Sequence, residues 1–200
     1  NQSELDKVKM GLVAAVLGDP GQLTYKKTRT GNSLIDRAAL HVLRHSGTPF
    51  RTLDFSPYGY DERQFASPGI NLPVGRLTRT PNGAYPEYHT SADNLDLICP
   101  EALSDSLTAY LKIIMLIESN HMYESNFPYC EPQLGKRGLY KKTGGHANAE
   151  ERELALLWVL NQSDGQHDLL DIAERADMPF WSIADAATEL AEANVIRKIQ

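Results

Sequence analysis

Two short stretches carry side chains of the kind that hold a metal or move a proton. The first is Tyr58-Gly59-Tyr60-Asp61-Glu62-Arg63-Gln64-Phe65, a glycine-flanked carboxylate just beyond an expected strand. Open α/β sheets build their sites at such places. Asp61 followed by Gln64 is equally the spacing of a helix capping pattern. The second is Glu87-Tyr88-His89-Thr90-Ser91-Ala92-Asp93-Asn94. His89 can ligate zinc through one ring nitrogen while Asp93 or a backbone carbonyl fixes the other. Tyr88 can donate a hydrogen bond to a developing oxyanion. The same residues also read as a surface loop in which Thr90 and Ser91 cap the next turn. His41, His45, His121, His146 and His167 have no partners at ligand spacing and read as surface or helix-face residues.

Alternating strands and helices must position these loops. Val8 to Leu17 is a continuous apolar run closed by Gly18-Asp19-Pro20-Gly21, the pattern of a strand buried on both faces. Asn32 to His45 has helical apolar spacing, with Asn32 or Ser33 as the cap and Gly47 at the end. Phe50 to Phe55 and Ile70 to Leu77 read as strands, the second weakened by Pro73. Pro100 suits the first turn of a long helix with the stripe Leu103, Leu107, Tyr110, Leu111, Ile114 and Ile117. This order predicts an α/β fold with a mainly parallel sheet and helices on both faces. The first strand comes almost at once, as in part of a sheet whose other strands lie elsewhere. Beyond residue 150, Glu151–Leu160, Leu169–Ala176 and Phe180–Ala193 read as helices and Val195–Ile199 as a strand. That is the order of a winged-helix module.

Charge divides the chain in the same way. Residues 1–149 carry 16 Lys+Arg against 15 Asp+Glu, whereas residues 150–200 carry 4 against 11. The break falls near Thr143-Gly144-Gly145-His146-Ala147-Asn148, giving a larger α/β domain over 1–125, a linker over 126–149 and a winged-helix-like domain over 150–200. The expected third helix of that module offers Asp185, Glu189 and Glu192 and no Lys or Arg, which argues against binding the DNA backbone. Trp158 or Trp181 is a candidate for packing on the larger domain or on a second copy of the chain. The 200 residues, net charge −6, lack an apolar run of membrane-spanning length and an apolar leader at Asn1, which reads as a cytoplasmic protein. Two cysteines, Cys99 and Cys130, cannot build a disulfide framework.

Three stretches taken together resemble the DUF4910 aminopeptidase-like proteins, a family related to the M28 zinc aminopeptidases. They are Tyr58 to Gly75, Glu87-Tyr-His-Thr-Ser-Ala-Asp-Asn-Leu, and Cys130-Glu-Pro-Gln-Leu-Gly-Lys-Arg-Gly-Leu-Tyr. Members typically end in a winged-helix domain and often accompany polysaccharide biosynthesis genes. The resemblance implies that Asp61 and His89 are metal ligands and that Tyr88 contacts the tetrahedral intermediate. Glu62, Arg63 and Glu87 become candidate substrate contacts. It also implies one or two zinc ions, with the remaining ligands and a general-base Glu in an earlier half that this chain does not contain. Glu62 stands where many M28 enzymes have a His after the Asp, a departure from the two-metal pattern. Two ligands alone do not make a tight tetrahedral site. The implied activity is hydrolysis of an amide or peptide bond of an N-terminal amino acid or aminoacyl conjugate, with this chain supplying part of the site. The alternatives are a degenerate peptidase fold that binds without hydrolysis and, most weakly, a transcription regulator.

Overall fold

The computed structural model describes residues 5–139 and 149–199, and its contacts divide the chain between Ile114 and Met115. The expected break at Thr143–Asn148 lies outside the described residues.

The first unit holds a four-stranded sheet. Its strands are β1 (Gly11–Ala14), β2 (Leu23–Lys26), β3 (Phe50–Leu53) and β4 (Val74–Thr78), in the order β1-β4-β2-β3. The β1–β4 and β2–β3 pairs are parallel and the central β2–β4 pair is antiparallel. The sheet is therefore mixed, a correction to the mainly parallel expectation. The cause is β2, whose sequence Leu-Thr-Tyr-Lys lacks the apolar run that marks a buried strand, although all four residues are buried. β1 also differs from expectation. It is an edge strand paired only with β4, so Gly11–Val13 are half-buried and Ala14 is exposed.

Local chemistry fixes the register of these elements. β4 carries Gly75 because a Cβ there would lie 2.2 Å from the Tyr25 hydroxyl. That hydroxyl donates to Asp36 at 3.0 Å, and the fully buried Asp36 also accepts the amides of Thr28 and Ser33 at 2.7 and 2.9 Å. Burial first, then the Asp36 carboxylate, pushes the Tyr25 phenol far above its ordinary pKa. Asp36 closes a capping box with Ser33 and so starts α1 (Leu34–Arg44).

A short helix α2 (Glu62–Phe65) precedes β4, and α3 (Pro100–Ser119) follows it. Of the stripe expected to pack, Leu103, Leu107, Leu111 and Ile114 face out, whereas Tyr110 and Ile117 are half-buried. Ala102, Ser106, Ala109, Ile113 and Leu116 are buried, while Leu103, Leu107, Leu111 and Ile114 are 45%, 60%, 49% and 52% exposed. The Tyr110 hydroxyl spans from the helix to the sheet and donates to the carbonyls of Val13 and Leu77 at 2.8 and 2.7 Å.

The second unit contains β5 (Met122–Ser125), α4 (Ala149–Gln162), β6 (Asp164–Asp168), α5 (Leu169–Ala176), α6 (Phe180–Glu192) and β7 (Ile196–Lys198). Its sheet is antiparallel in the order β6-β5-β7. Since β5 pairs inside this unit, the winged-helix unit starts before residue 125, and the expected boundary after 125 is corrected. Part of the expected 126–149 linker is ordered too, with a 3-10 turn over Leu134–Arg137 and buried Leu134 and Leu139. Asp168 caps α5 by accepting the Asp171 amide at 2.8 Å, and Asp171 returns the bond to the Asp168 amide at 2.9 Å. Leu156, Val159, Leu170, Ile183 and Leu190 are fully buried, each stabilising the fold by about 1.5–3 kcal/mol. No described helix is long and apolar enough to cross a membrane.

Candidate functional site

The Asp61 and His89 loops leave β3 and β4, and buried charge holds the first of them in place. Lys26 of β2 is 2% exposed, and its ammonium donates to the carbonyls of Ser56 and Tyr58, both at 2.7 Å, and to Glu62 Oε1 at 3.1 Å. Arg76 of β4 reaches the same Glu62 oxygen at 3.3 Å from the other side. Glu62 Oε2 accepts the Tyr60 amide at 3.0 Å. Both oxygens of a fully buried carboxylate are thus occupied, and the expected contact of Glu62 with substrate is corrected. Glu62 is an internal tie that sets the path of residues 56–62. Gly59 is needed there, at φ 158°, because a Cβ would lie 2.0 Å from Glu62 Oε1.

This tie leaves Asp61 free. Its carboxylate is exposed and makes no capping hydrogen bond to α2, so the capping reading of the spacing does not hold. Arg63 is exposed beside it.

Arg76 also reaches Tyr60 and Asn82. Its guanidinium lies 5.0 Å from the Tyr60 ring centroid, and Nη1 bonds Asn82 Oδ1 at 3.4 Å on the way to the second loop. Nε is buried without a partner, as is the Tyr60 hydroxyl. Burial, and after it the neighbouring Tyr88, pushes the Tyr60 phenol upward against the opposing pull of Arg76. Tyr60 adjoins Asp61 in the chain and Tyr88 adjoins His89.

In the second loop, the Tyr88 and His89 rings stack at 3.9 Å, and Tyr85 meets Tyr88 edge-on at 5.6 Å. Burial and Asp93 raise the Tyr85 phenol. His89 has φ 59°, a left-handed conformation that costs energy for a residue with a Cβ. Thr90 Oγ1 donates to the Glu87 carbonyl at 2.7 Å and accepts the Ala92 amide at 3.2 Å, the capped turn that the loop reading expected. His89 is exposed, Tyr88 and Glu87 are half-buried, and no hydrogen bond joins His89 to Asp93.

A carboxylate and an imidazole, both uncommitted, fit zinc in kind. They do not fit it in number, because among the described residues no three of His, Cys, Asp and Glu come together at a metal site. Sequence reasoning missed Lys26, Tyr60 and Arg76. Tyr60 sits inside the motif and was legible there; Lys26 and Arg76 are single cations in strands, without a local signal.

An α/β unit followed by a winged helix-turn-helix defines the class. Residues 1–120 match the model of a domain of unknown function, DUF4910, and residues 121–198 match a winged helix-turn-helix model. The chain belongs to the DUF4910 family. It is 47% identical over 199 residues to a Clostridium acetobutylicum protein described as a "putative polysaccharide biosynthesis protein with aminopeptidase-like domain". It also superposes on a crystal structure of a "putative peptidase" from Clostridium acetobutylicum, with TM-score 0.91 and 45% identity. All of this chain is covered in both comparisons, but only 46% and 44% of the relatives, so the chain spans under half of their length.

Proposed function

We propose that this chain supplies part of the site of a zinc-dependent, M28-like aminopeptidase, in which Asp61 and His89 are two metal ligands. The observation that carries this reading is that Asp61 makes no capping hydrogen bond while its neighbour Glu62 is fully tied, with Tyr60 close enough to feel the Tyr88 phenol. The names of the relatives support a peptidase-like role. The remaining ligands and the general base come from sequence outside this chain. Zinc, when bound, supplies carbonyl polarisation and water activation. The chain's own residues do the rest. Tyr88 donates its phenol proton as a hydrogen bond to the carbonyl oxygen of the scissile bond as negative charge develops there. Arg63 and Glu87 contact the substrate, an N-terminal amino acid in amide or aminoacyl linkage. Arg76 and Glu62 act through Tyr60 and the Asp61 loop as positioning residues. The winged-helix unit serves as a packing or docking module and not as a DNA reader, because α6 presents Asp185, Glu189 and Glu192.

The test is a chimera in which this chain replaces the matched 46% of the Clostridium acetobutylicum relative. Zinc content and hydrolysis of an aminoacyl p-nitroanilide are measured. The reading expects both in the parent chimera, loss of both in His89→Ala, and in Tyr88→Phe a roughly 10²–10³-fold lower kcat with zinc retained. The two-donor count favours one other reading, a peptidase fold that binds a ligand without hydrolysis. A folded, metal-free chimera is its signature.

A further inference from the structure

Helix α4 is apolar on two sides, and only one of them is packed. Ala155, Leu156 and Val159 are fully buried and face the core shared with α6. Leu154, Leu157 and Trp158 face the other way and line a cavity of about 730 Å³. Its far wall is Phe127, Pro128 and Pro132 of the segment that follows β5. A helix that is apolar all round normally lies in an interior, yet Leu154 is 49% exposed. The volume is that of a ligand site.

The polar part of the lining has one sign. Among the described lining residues the charged ones are Glu124, Glu131 and Asp164, with Arg137 stacked on Phe127. Arg197 neutralises Glu124 from outside the cavity. Glu131 has no ion-pair or hydrogen-bond partner among the described residues. Both Asp164 oxygens lie 3.0 Å from His167 Nδ1, and against the raising effect of burial the Gln166 amide and His167 lower its pKa. The far wall already holds one flat cation, since the Arg137 guanidinium lies 4.5 Å from the Phe127 centroid. Asn161 uses its side-chain oxygen to accept from Gln162 at 2.8 Å, which leaves its amide hydrogens for a peptide carbonyl.

The geometry points to a groove for a short basic-apolar peptide segment of a partner protein. Apolar side chains of that segment lie against Leu157 and Trp158, a lysine or arginine extends to Glu131 and Asp164, and Asn161 holds the backbone. Nucleic acid and acidic peptides are repelled by the same carboxylates. This inference does not depend on the zinc-site reading.

The test uses the whole chain carrying Trp181→Phe, which leaves Trp158 as the one remaining tryptophan of the two. The probes are acetyl-Leu-Lys-Leu-Lys-amide, its Leu-Glu twin, and n-hexylamine. The groove predicts a saturable Trp158 fluorescence change with the lysine peptide that weakens with salt, and none with the glutamate twin. Glu131→Gln, on an exposed side chain, weakens binding about two- to five-fold. Amide shifts in ¹⁵N spectra of the unsubstituted chain, confined to α4 and the segment after β5, give the same answer should Trp181→Phe disturb the fold. Equal response to both peptides, no response to either, an unchanged Glu131→Gln variant, or hexylamine matching the peptide each overturns the proposal.

Discussion

The two units bury charge in opposite ways. Among the described residues, Asp19, Lys26, Asp36, Glu62, Arg76 and Arg79 are buried, and all lie in the first unit; the one buried polar residue of the second is Ser163. Ion pairs in the second unit are at the surface, as with Arg152–Glu189 at 32% and 34% exposure and Arg197–Glu124 at 56% and 45%. Buried charge is costly unless every group is paired. The first unit accepts that cost where the Asp61 loop must be held without using Asp61. The second is a module built on apolar packing.

The largest expected effect comes from breaking that contrast at its strongest point. Glu62→Ala strands Lys26 and Arg76 as buried cations, and urea unfolding is expected to show a loss of about 3–5 kcal/mol. Leu170→Ala in the apolar core is expected to cost about 2–5 kcal/mol through the cavity it leaves. The two differ in one respect: Glu62→Ala also moves the Tyr60 and Tyr88 ring signals in NMR spectra, whereas Leu170→Ala leaves them in place.

Smaller effects sharpen the comparison at the surface. Leu107→Gln on the outward stripe of α3 is expected to change the stability of this chain by less than about 0.5 kcal/mol. Arg152→Ala removes a half-exposed pair and is expected to cost at most about 1 kcal/mol after solvent screening. The smallest effect is a pH dependence. Burial, then the adjacent Lys198, lowers the His121 pKa. The unfolded chain therefore binds the proton first as pH falls below about 6.5, and stability present above that value declines toward the lower folded pKa. Urea midpoints at neutral and mildly acidic pH, with His121→Gln as the variant that removes the difference, check the sign.

Much of the fold was legible because local rules and packing agreed. Ser33 was one of the two caps expected for α1, and the helices of the second unit declared themselves through apolar spacing, whereas the Asp168–Asp171 capping box went unread. β2 was not legible, because Lys26 is buried by partners thirty and more positions away, Ser56, Tyr58 and Glu62. The orientation of α3 was misread for a related reason. Its largest residues gave the stronger stripe, yet the buried side carries the small Ala102, Ser106 and Ala109 with Ile113 and Leu116. At the candidate site the residue types of Asp61, Tyr88 and His89 were legible. The difference between Asp61, which is free, and Glu62, which is tied, depends on two cations from separate strands.

Metal analysis of the chimera with the Clostridium acetobutylicum relative tests the central claim most directly, comparing the parent with Asp61→Ala and His89→Ala after dialysis against a weak chelator. The account predicts zinc in the parent and a loss of orders of magnitude in affinity in each variant, because each removes one of three or four ligand bonds. Zinc retained at full stoichiometry in both variants would contradict it.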